Sequence, residues 1–400
     1  METKLFINET GSCADIIKNG GLVAVPTETV YGLAGNGLSR EAVEKIYEVK
    51  GRPAVKPLSL MVSSPEDMEK YCVNVSSEAK LLAEKFWPGP LTIVLEAAPI
   101  VPDIVRAGGK TVGLRCPDSP LTLQLLADSA LPFAAPSANP SGQESPKNAA
   151  KVMEYFSGKI DAVIDGGECT LGRESTIIDM TAKPFRILRP GALGEDEIAS
   201  ALRENLCLIG ITGGSGCGKT TALNALSSMG ALVIDCDEVY HEMLKSDEEM
   251  LLQIKESFGD AFDENGVLDR KKLGNIVFSD ALSLKKLNEI THTHIKRKIN
   301  ELLNAFAMQG GKIAGIDAIE LISSDLAGMC RSNIAICADR EKRIERIMQR
   351  DSITREYAEA RIGAQRSDDY FKEHCDYVIY NNGSAAELEN KFLDIIKGVI

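Results

Sequence analysis

Apolar and polar positions along this chain follow two rhythms. In the first half, short apolar runs rich in β-branched residues (Leu22 to Val25, Leu58 to Val62, Leu91 to Leu95, Thr111 to Leu114, Ala162 to Asp165 and Ser175 to Asp179) predict strands. Between them, residues 40–50, 77–87, 120–129 and 147–156 carry apolar side chains at helical spacing. The pattern predicts a mixed α/β domain with proline-rich loops. After Pro190-Gly191, the acidic start Glu195-Asp196-Glu197 leads through Ile198 and Leu202 to a stop at Asn205. The expected division is a first domain over residues 1–198, a short linker over 199–205 and a second domain over 206–400. The second half opens with a buried-strand run (206–212), a glycine-rich loop, a helix (219–229) and another strand (231–235), with later strands at 312–317, 332–337 and 377–380 and helices at 339–350 and 355–366. A β-loop-α-β start with this alternation predicts a parallel sheet inside an α/β/α sandwich.

Composition supports two unlike domains. All 16 prolines lie between Pro26 and Pro190, and all four histidines (His241, His292, His294 and His374) follow residue 240. The net charge of −13 is shared nearly evenly by the halves, which excludes a basic module that coats nucleic acid. Any polyanion must therefore meet a local cationic cleft. Ten cysteines without a C-x-x-C pair predict a reduced, cytoplasmic protein. The amino-terminal residues show no targeting pattern, and no stretch approaches the ~18 apolar residues of a membrane span, so neither export nor a membrane partner is expected. There is no internal repeat.

In the second half, Gly213, Gly214, Ser215, Gly216, Cys217, Gly218, Lys219 and Thr220 fit G-x-x-x-x-G-K-[ST] between a predicted strand and a predicted helix. Such a loop converges backbone N–H groups on phosphate at a helix N-terminus. Lys219 is expected to reach the β- and γ-phosphates, Thr220 to hold Mg²⁺, and Thr221 to complete the ATP-binding run. The guanine-reading Asn-Lys-x-Asp of a GTPase is missing. Asp235 and Asp237 sit one residue apart at a strand end, suited to orienting Mg²⁺ and to taking a proton from a substrate hydroxyl, although Asp pairs at strand ends also serve as helix caps.

These residues, with His241, Phe258-Gly259, Leu268-Asp269-Arg270, Ile276-Val277-Phe278, Arg350-Asp351, Ala360 to Gln365, Asp376 to Ile379 and Asn382-Gly383, resemble the dephospho-CoA kinase family over residues 206–385. The resemblance implies transfer of the ATP γ-phosphate to the 3′-hydroxyl of dephospho-CoA. It also implies Asp237 as the base, Lys219 as a catalytic residue, Mg²⁺ held through Thr220 and Asp235, and Arg350 and Arg361 in a mobile lid. Two departures stand out. His292-Thr293 replaces a His-Pro, and the segment from Asp317 to Ser323 replaces a Pro-Leu-Leu-x-Glu stretch; both bear on the acceptor substrate.

The first half has no histidine, which removes His-based catalysis there. Its cations recur in motif-like segments: Lys50-Gly51-Arg52-Pro53 with Lys56-Pro57, Gly113-Leu114-Arg115, and Leu188-Arg189-Pro190-Gly191. Hydroxyl clusters accompany them in Pro26 to Leu33, Ala135 to Gly142 and Gly172 to Thr176. Such groups hold phosphates and a small amino acid. Together with Phe86 to Thr92 and Asp165-Gly166-Gly167, these segments resemble the YrdC-type threonylcarbamoyl-AMP synthase family over residues 12–193. The resemblance implies conversion of L-threonine, bicarbonate and ATP to threonylcarbamoyl-AMP, an intermediate passed to a tRNA-modifying transferase, and it allows weak tRNA contact. By motif position it assigns Lys50, Arg52, Lys56, Ser137, Ser145 and Arg189 to ATP, and Thr27, Thr29, Thr111 and Arg115 to threonine or its carbamate. Met61 stands where some members have a histidine. The leading expectation is a bifunctional enzyme. The alternatives are a synthase fused to a decayed, nucleotide-binding kinase, or an RNA-binding first half, which the acidic balance disfavours.

Overall fold

A computed structural model describes residues 2–400. The chain divides into two compact units, Met1–Glu204 with Met308–Gly310, and Asn205–Ala307 with Gly311–Ile400.

The first unit is built on a mixed ten-stranded sheet. Its strands are β1 (Lys4–Ile7), β2 (Val23–Val25), β3 (Gly32–Asn36), β4 (Ser59–Met61), β5 (Leu91–Glu96), β6 (Thr111–Arg115), β7 (Phe133–Ala134), β8 (Ala162–Asp165), β9 (Thr176–Asp179) and β10 (Arg186–Arg189). They lie in the order β1-β8-β2-β3-β7-β4-β6-β5-β9-β10. The helices Gly11–Lys18 and Pro120–Ser129 bury Cys13, Ala14, Ile17, Leu125 and Leu126 against β2, β7 and β8. Four strands escape the hydrophobic pattern, one of them the two-residue β7. β1 is an edge strand with little alternation, β10 is mostly exposed, and β3 is Gly-Leu-Ala-Gly-Asn, a sequence that reads as a turn. β3 needs small residues, because a Cβ on Gly35 would meet Leu22 at 2.8 Å and Ile46 at 3.2 Å.

The expected linker over 199–205 is largely absent. Residues 199–203 are the last turns of the helix Glu195–Arg203, whose Ile198, Ala199, Ala201 and Leu202 are buried against the helix Ser77–Phe86. The apolar side chains there are spaced to face a core, and burying them stabilises the helix more than an extended connector would.

The second unit holds five parallel strands, β11 (Cys207–Thr212), β12 (Leu232–Asp235), β13 (Ile313–Asp317), β14 (Ser332–Cys337) and β15 (Tyr377–Tyr380), in the order β12-β13-β11-β14-β15. Cores on both faces, one around Met250, Ile254, Ile299 and Leu303 and one around Leu226, Phe392 and Ile396, make the three-layer sandwich. Among the described residues no helix is long and apolar enough to cross a membrane.

Truncating Leu202 to alanine is expected to lower the stability of the first unit by about 2–5 kcal/mol. Trp87 is the only tryptophan and is buried within that unit, so urea unfolding of the whole chain followed by its fluorescence reads the loss directly.

Candidate functional sites

In the first unit, Lys50 is the last residue of the helix Arg40–Lys50, which Ser39 caps at its start and Gly51, at φ 59°, ends in the left-handed conformation. The stop turns the Lys50 side chain inward, where it is 3% exposed and donates to the carbonyls of Ser137 and Asn139. Burial, with Arg52 adding to it, pushes Lys50 from its ordinary 10.5 down to about 7. A neutral amine has two hydrogens for these two carbonyls, and an ammonium has a third to offer. Lys50 therefore braces the Ala135–Gly142 loop that carries Ser137.

Arg52 folds the next loop, donating to the Lys56 carbonyl at 3.2 Å and the Pro57 carbonyl at 2.9 Å, and Tyr47 Oη donates to the same Lys56 carbonyl. This leaves the Lys56 side chain in solvent. Arg189 donates to the Ser175 carbonyl at 2.7 Å and to Ser175 Oγ at 3.1 Å. Gly191 allows that approach, since a Cβ there would collide with the backbone of residues 174–176. Ser145 donates to Glu174 at 2.8 Å and holds that carboxyl below its ordinary range. Burial holds the Arg189 guanidinium below its ordinary value; Glu174 opposes this, and the charges of Arg115 and Arg52 push it further down. Arg52 and Arg115 therefore lie near enough for their charges to act on Arg189.

Arg115, at the end of β6, lies 2.7 Å from Glu28 with both side chains buried, in an ion pair not aligned as a hydrogen bond. Its Nε donates to the Gly89 carbonyl at 3.2 Å. The Thr27 and Thr29 hydroxyls are buried and 2.9 Å apart, and Thr27 closes the loop by donating to the Val30 carbonyl. Thr111 starts the strand that Arg115 ends, about 13 Å from it at the ~3.3 Å rise of an extended chain. Motif position gives Glu28 and Glu174 no role, though each stands next to a hydroxyl residue inside a motif segment.

In the second unit the phosphate loop joins β11 to the helix Lys219–Ser228, with Gly213, Gly216 and Gly218 at positive φ. Lys219 Nζ donates to the Gly213 carbonyl at 3.0 Å, and Thr220 is exposed at the helix start. The loop's other carbonyls have donors: Ser215 from Arg343 Nε at 3.0 Å, Gly216 from Arg346 at 3.2 Å, and Cys217 from Asn381 at 2.8 Å. The Cys217 thiol is buried and pushed up by that burial, so this cysteine is structural.

Sheet register sets Asp235 directly beside Asp317 at the carboxyl ends of β12 and β13. Asp235 Oδ1 is engaged as the cap of the helix Cys236–Ser246, accepting from Asp237 N at 2.9 Å and Glu238 N at 3.1 Å. Asp237 is exposed on the first turn of that helix. Asp317, passed over as a ligand in the sequence, is 8% exposed, with Oδ1 lacking a hydrogen-bond partner and 4.0 Å from Lys219 Nζ. Burial raises it to about 6, with Lys219 opposing and Asp235 and Asp237 adding. An orphaned carboxylate oxygen, a neighbouring Asp and an exposed threonine hydroxyl are oxygen donors that fit Mg²⁺.

Asp237 opens onto a cavity of about 1100 Å³ walled by Tyr240, Leu273, Val277, Phe278 and Leu287. Both departures from the resembled kinase pattern line it, through His292 and Thr293 and through Ala318 to Glu320 and Ser323. Arg350 and Arg361 lie on the helices Arg340–Asp351 and Arg355–Gly363, and both engage Asp351, at 2.7 and 2.8 Å.

Comparison with known proteins divides the chain in the same way. A family model for Sua5, YciO and YrdC proteins, described as telomere recombination, matches residues 15–191, and one described as dephospho-CoA kinase matches residues 207–387. The first half is similar to the threonylcarbamoyl-AMP synthase of Pyrococcus abyssi, 48% identical over 48% of this chain and 56% of that protein. It is also similar to a putative threonylcarbamoyl-AMP synthase of Methanocaldococcus jannaschii, 39% identical over 46% of this chain and 86% of that protein. The second half is similar to the dephospho-CoA kinase of Lactobacillus johnsonii, 31% identical over 48% of this chain and 97% of that protein. The chain thus spans about half the length of the first curated relatives it matches.

Because Lys50 sits below its unfolded value, the unfolded chain binds more protons between about pH 7 and 10.5, and Lys50 contributes stability that rises with pH across that window. The stability of the wild-type chain relative to Lys50→Met is expected to climb by up to ~1.4 kcal/mol per pH unit above pH 7, read by urea unfolding on Trp87. A flat difference between pH 6.5 and 9 contradicts a neutralised Lys50.

Proposed function

The chain belongs to the Sua5–YciO–YrdC family over its first half and to the dephospho-CoA kinase family over its second, and from that premise we propose a fused enzyme with two separate ATP-using sites. The first makes threonylcarbamoyl-AMP and pyrophosphate from L-threonine, bicarbonate and ATP. The second transfers the ATP γ-phosphate to the 3′-hydroxyl of dephospho-CoA.

For the first site, the observation that carries the reading is that motif arginines held by loop carbonyls, Arg189 on Ser175 and Arg115 on Gly89, lie within charge reach of one another in a unit without histidine. Threonine carbamate brings its own nucleophilic oxygen to the α-phosphorus, and pyrophosphate leaves, so positioning and charge neutralisation serve in place of a protein base. Arg189, Arg52 and the exposed Lys56 receive the phosphates, with Ser137 and Ser145 beside them. A guanidinium has five N–H donors. Arg115 has committed Nε to Gly89 and keeps donors for the threonine carboxylate, while Glu28 fixes its direction and the Thr27 and Thr29 hydroxyls line the approach. The adenylate product suits a downstream transferase acting on tRNA.

For the second site, the carrying observation is Asp237 at the mouth of the large cavity, in the same unit as a complete phosphate loop. The loop N–H groups and Lys219 hold the β- and γ-phosphates, and Asp237 accepts the proton of the acceptor hydroxyl as that oxygen attacks γ-phosphorus. Thr220, Asp235 Oδ2 and Asp317 would hold Mg²⁺, which supplies charge neutralisation when bound. Arg350 and Arg361 are the lid cations, released from Asp351 on closure.

A two-part assay on the purified chain tests both halves. Lys219→Ala is expected to abolish ATP-dependent phosphorylation of dephospho-CoA, by at least 100-fold as for the loss of a principal charge-stabilising group, while leaving threonine- and bicarbonate-dependent pyrophosphate release intact. Arg189→Ala is expected to do the reverse. Pyrophosphate release that ignores threonine overturns the synthase reading. A wild-type second unit that binds ATP yet leaves dephospho-CoA unmodified favours a regulatory, decayed kinase.

A further inference from the structure

Gln365, just beyond the helix Arg355–Gly363, has no part in the chemistry above, yet its amide is committed to one residue of the phosphate loop. Its Oε1 accepts the Ser215 backbone N–H at 2.9 Å, and its Nε2 donates to Ser215 Oγ at 2.9 Å. The same Oε1 accepts from Arg343 Nη2 at 2.7 Å, and Arg343 Nε donates to the Ser215 carbonyl. The amide can face only one way, because a backbone N–H and a guanidinium are both donors and require its oxygen. Ser215 is thereby held at N–H, carbonyl and hydroxyl by side chains from the lid segment. Gly214 must lack a side chain, since a Cβ there would run into the Arg343 guanidinium and the Gln365 amide.

The place of Ser215 in the loop gives this ring its meaning. Lys219 Nζ rests on the Gly213 carbonyl at 3.0 Å. An ammonium that reaches the β- and γ-phosphates marks the end of the loop beside it as the γ end. Residues 213–215 open the loop at that end.

We propose that Gln365 is a positioning residue for the γ-phosphate end of the loop, joining the setting of Ser215 to the lid segment so that nucleoside triphosphate is distinguished from diphosphate there. The proposal rests on the kinase reading only for the ligand class of the loop, and it is independent of the acceptor.

Glutamate at this position separates positioning from mere support. Gln365→Glu keeps an acceptor for the Ser215 N–H, the Ser215 hydroxyl and Arg343, and so preserves the ring, but it sets a negative charge at the γ end. The full-length chain is titrated with MgATP and with MgADP, following the binding event that Lys219→Ala removes so that the first unit does not contribute. Gln365→Ala is expected to weaken MgATP about tenfold and MgADP by less than about twofold, the scale of one or two net hydrogen bonds, and Gln365→Glu, whose ring is kept, to weaken MgATP more than MgADP through its charge alone, with its melting temperature unchanged. Wild-type MgATP affinity in Gln365→Glu, or equal weakening of MgATP and MgADP in Gln365→Ala, overturns the proposal. If the wild-type chain binds MgATP with this discrimination but does not phosphorylate dephospho-CoA, the acceptor assignment falls and the role of Gln365 stands.

Discussion

A loop that aims its N–H groups at phosphate must aim its carbonyls away from it, and carbonyls turned into the protein need donors. This constraint organises both units. In the second, Arg343, Arg346, Asn381 and Lys219 each take one carbonyl of the phosphate loop. In the first, with no glycine-rich loop of that kind, Lys50 takes the carbonyls of Ser137 and Asn139, Arg52 those of Lys56 and Pro57, Arg115 that of Gly89 and Arg189 that of Ser175. The motif cations are therefore builders of the cleft before they are ligands of a polyanion. Arginine suits that double duty, since it can satisfy a carbonyl with one N–H and keep others for phosphate.

Such an arrangement explains how an acidic protein with a net charge of −13 can handle triphosphates. Positive charge is concentrated where backbone holds it in place, and in the first unit the charges of Arg52 and Arg115 on Arg189 are opposed by Glu174, while Arg115 is paired with Glu28. Burial adds a second effect. Lys50 is driven toward its neutral form and Asp317 toward its protonated form, so each site contains a group whose charge returns when an opposite charge arrives.

Hydrophobic rhythm located the central strands and the phosphate loop because each is encoded locally, in a run of apolar residues or a glycine spacing. β14 and β15 begin and end where the pattern puts them, and the helices Arg40–Lys50 and Pro120–Ser129 do too. What escaped depends on partners far along the chain. The Gly-Leu-Ala-Gly-Asn of β3 packs as a strand with Leu22 and Ile46 beside Gly35 and with Met61 and Pro136 beside Gly32. Arg343 and Gln365 become part of the phosphate site through contacts 128 and 150 residues away in sequence. Thr111 stands at the opposite end of the same strand from Arg115, a separation that the motif spacing alone does not display.

The two departures from the kinase pattern have a common physical effect. Thr293 lies within an unbroken 28-residue helix, Ala281–Met308, and its hydroxyl donates to the Glu289 carbonyl at 3.1 Å. Proline at 293 would remove an N–H and crowd that same carbonyl, kinking the helix where Thr291, His292 and Ile295 form the cavity wall. On the facing side, the turn after β13 buries Leu321 while Ala318, Ile319 and Glu320 line the cavity. Both changes fall on the cavity wall and neither touches the ring of Arg343, Gln365 and Ser215. These two changes therefore bear on the shape of the cavity, and the donors that hold the phosphate loop lie outside it.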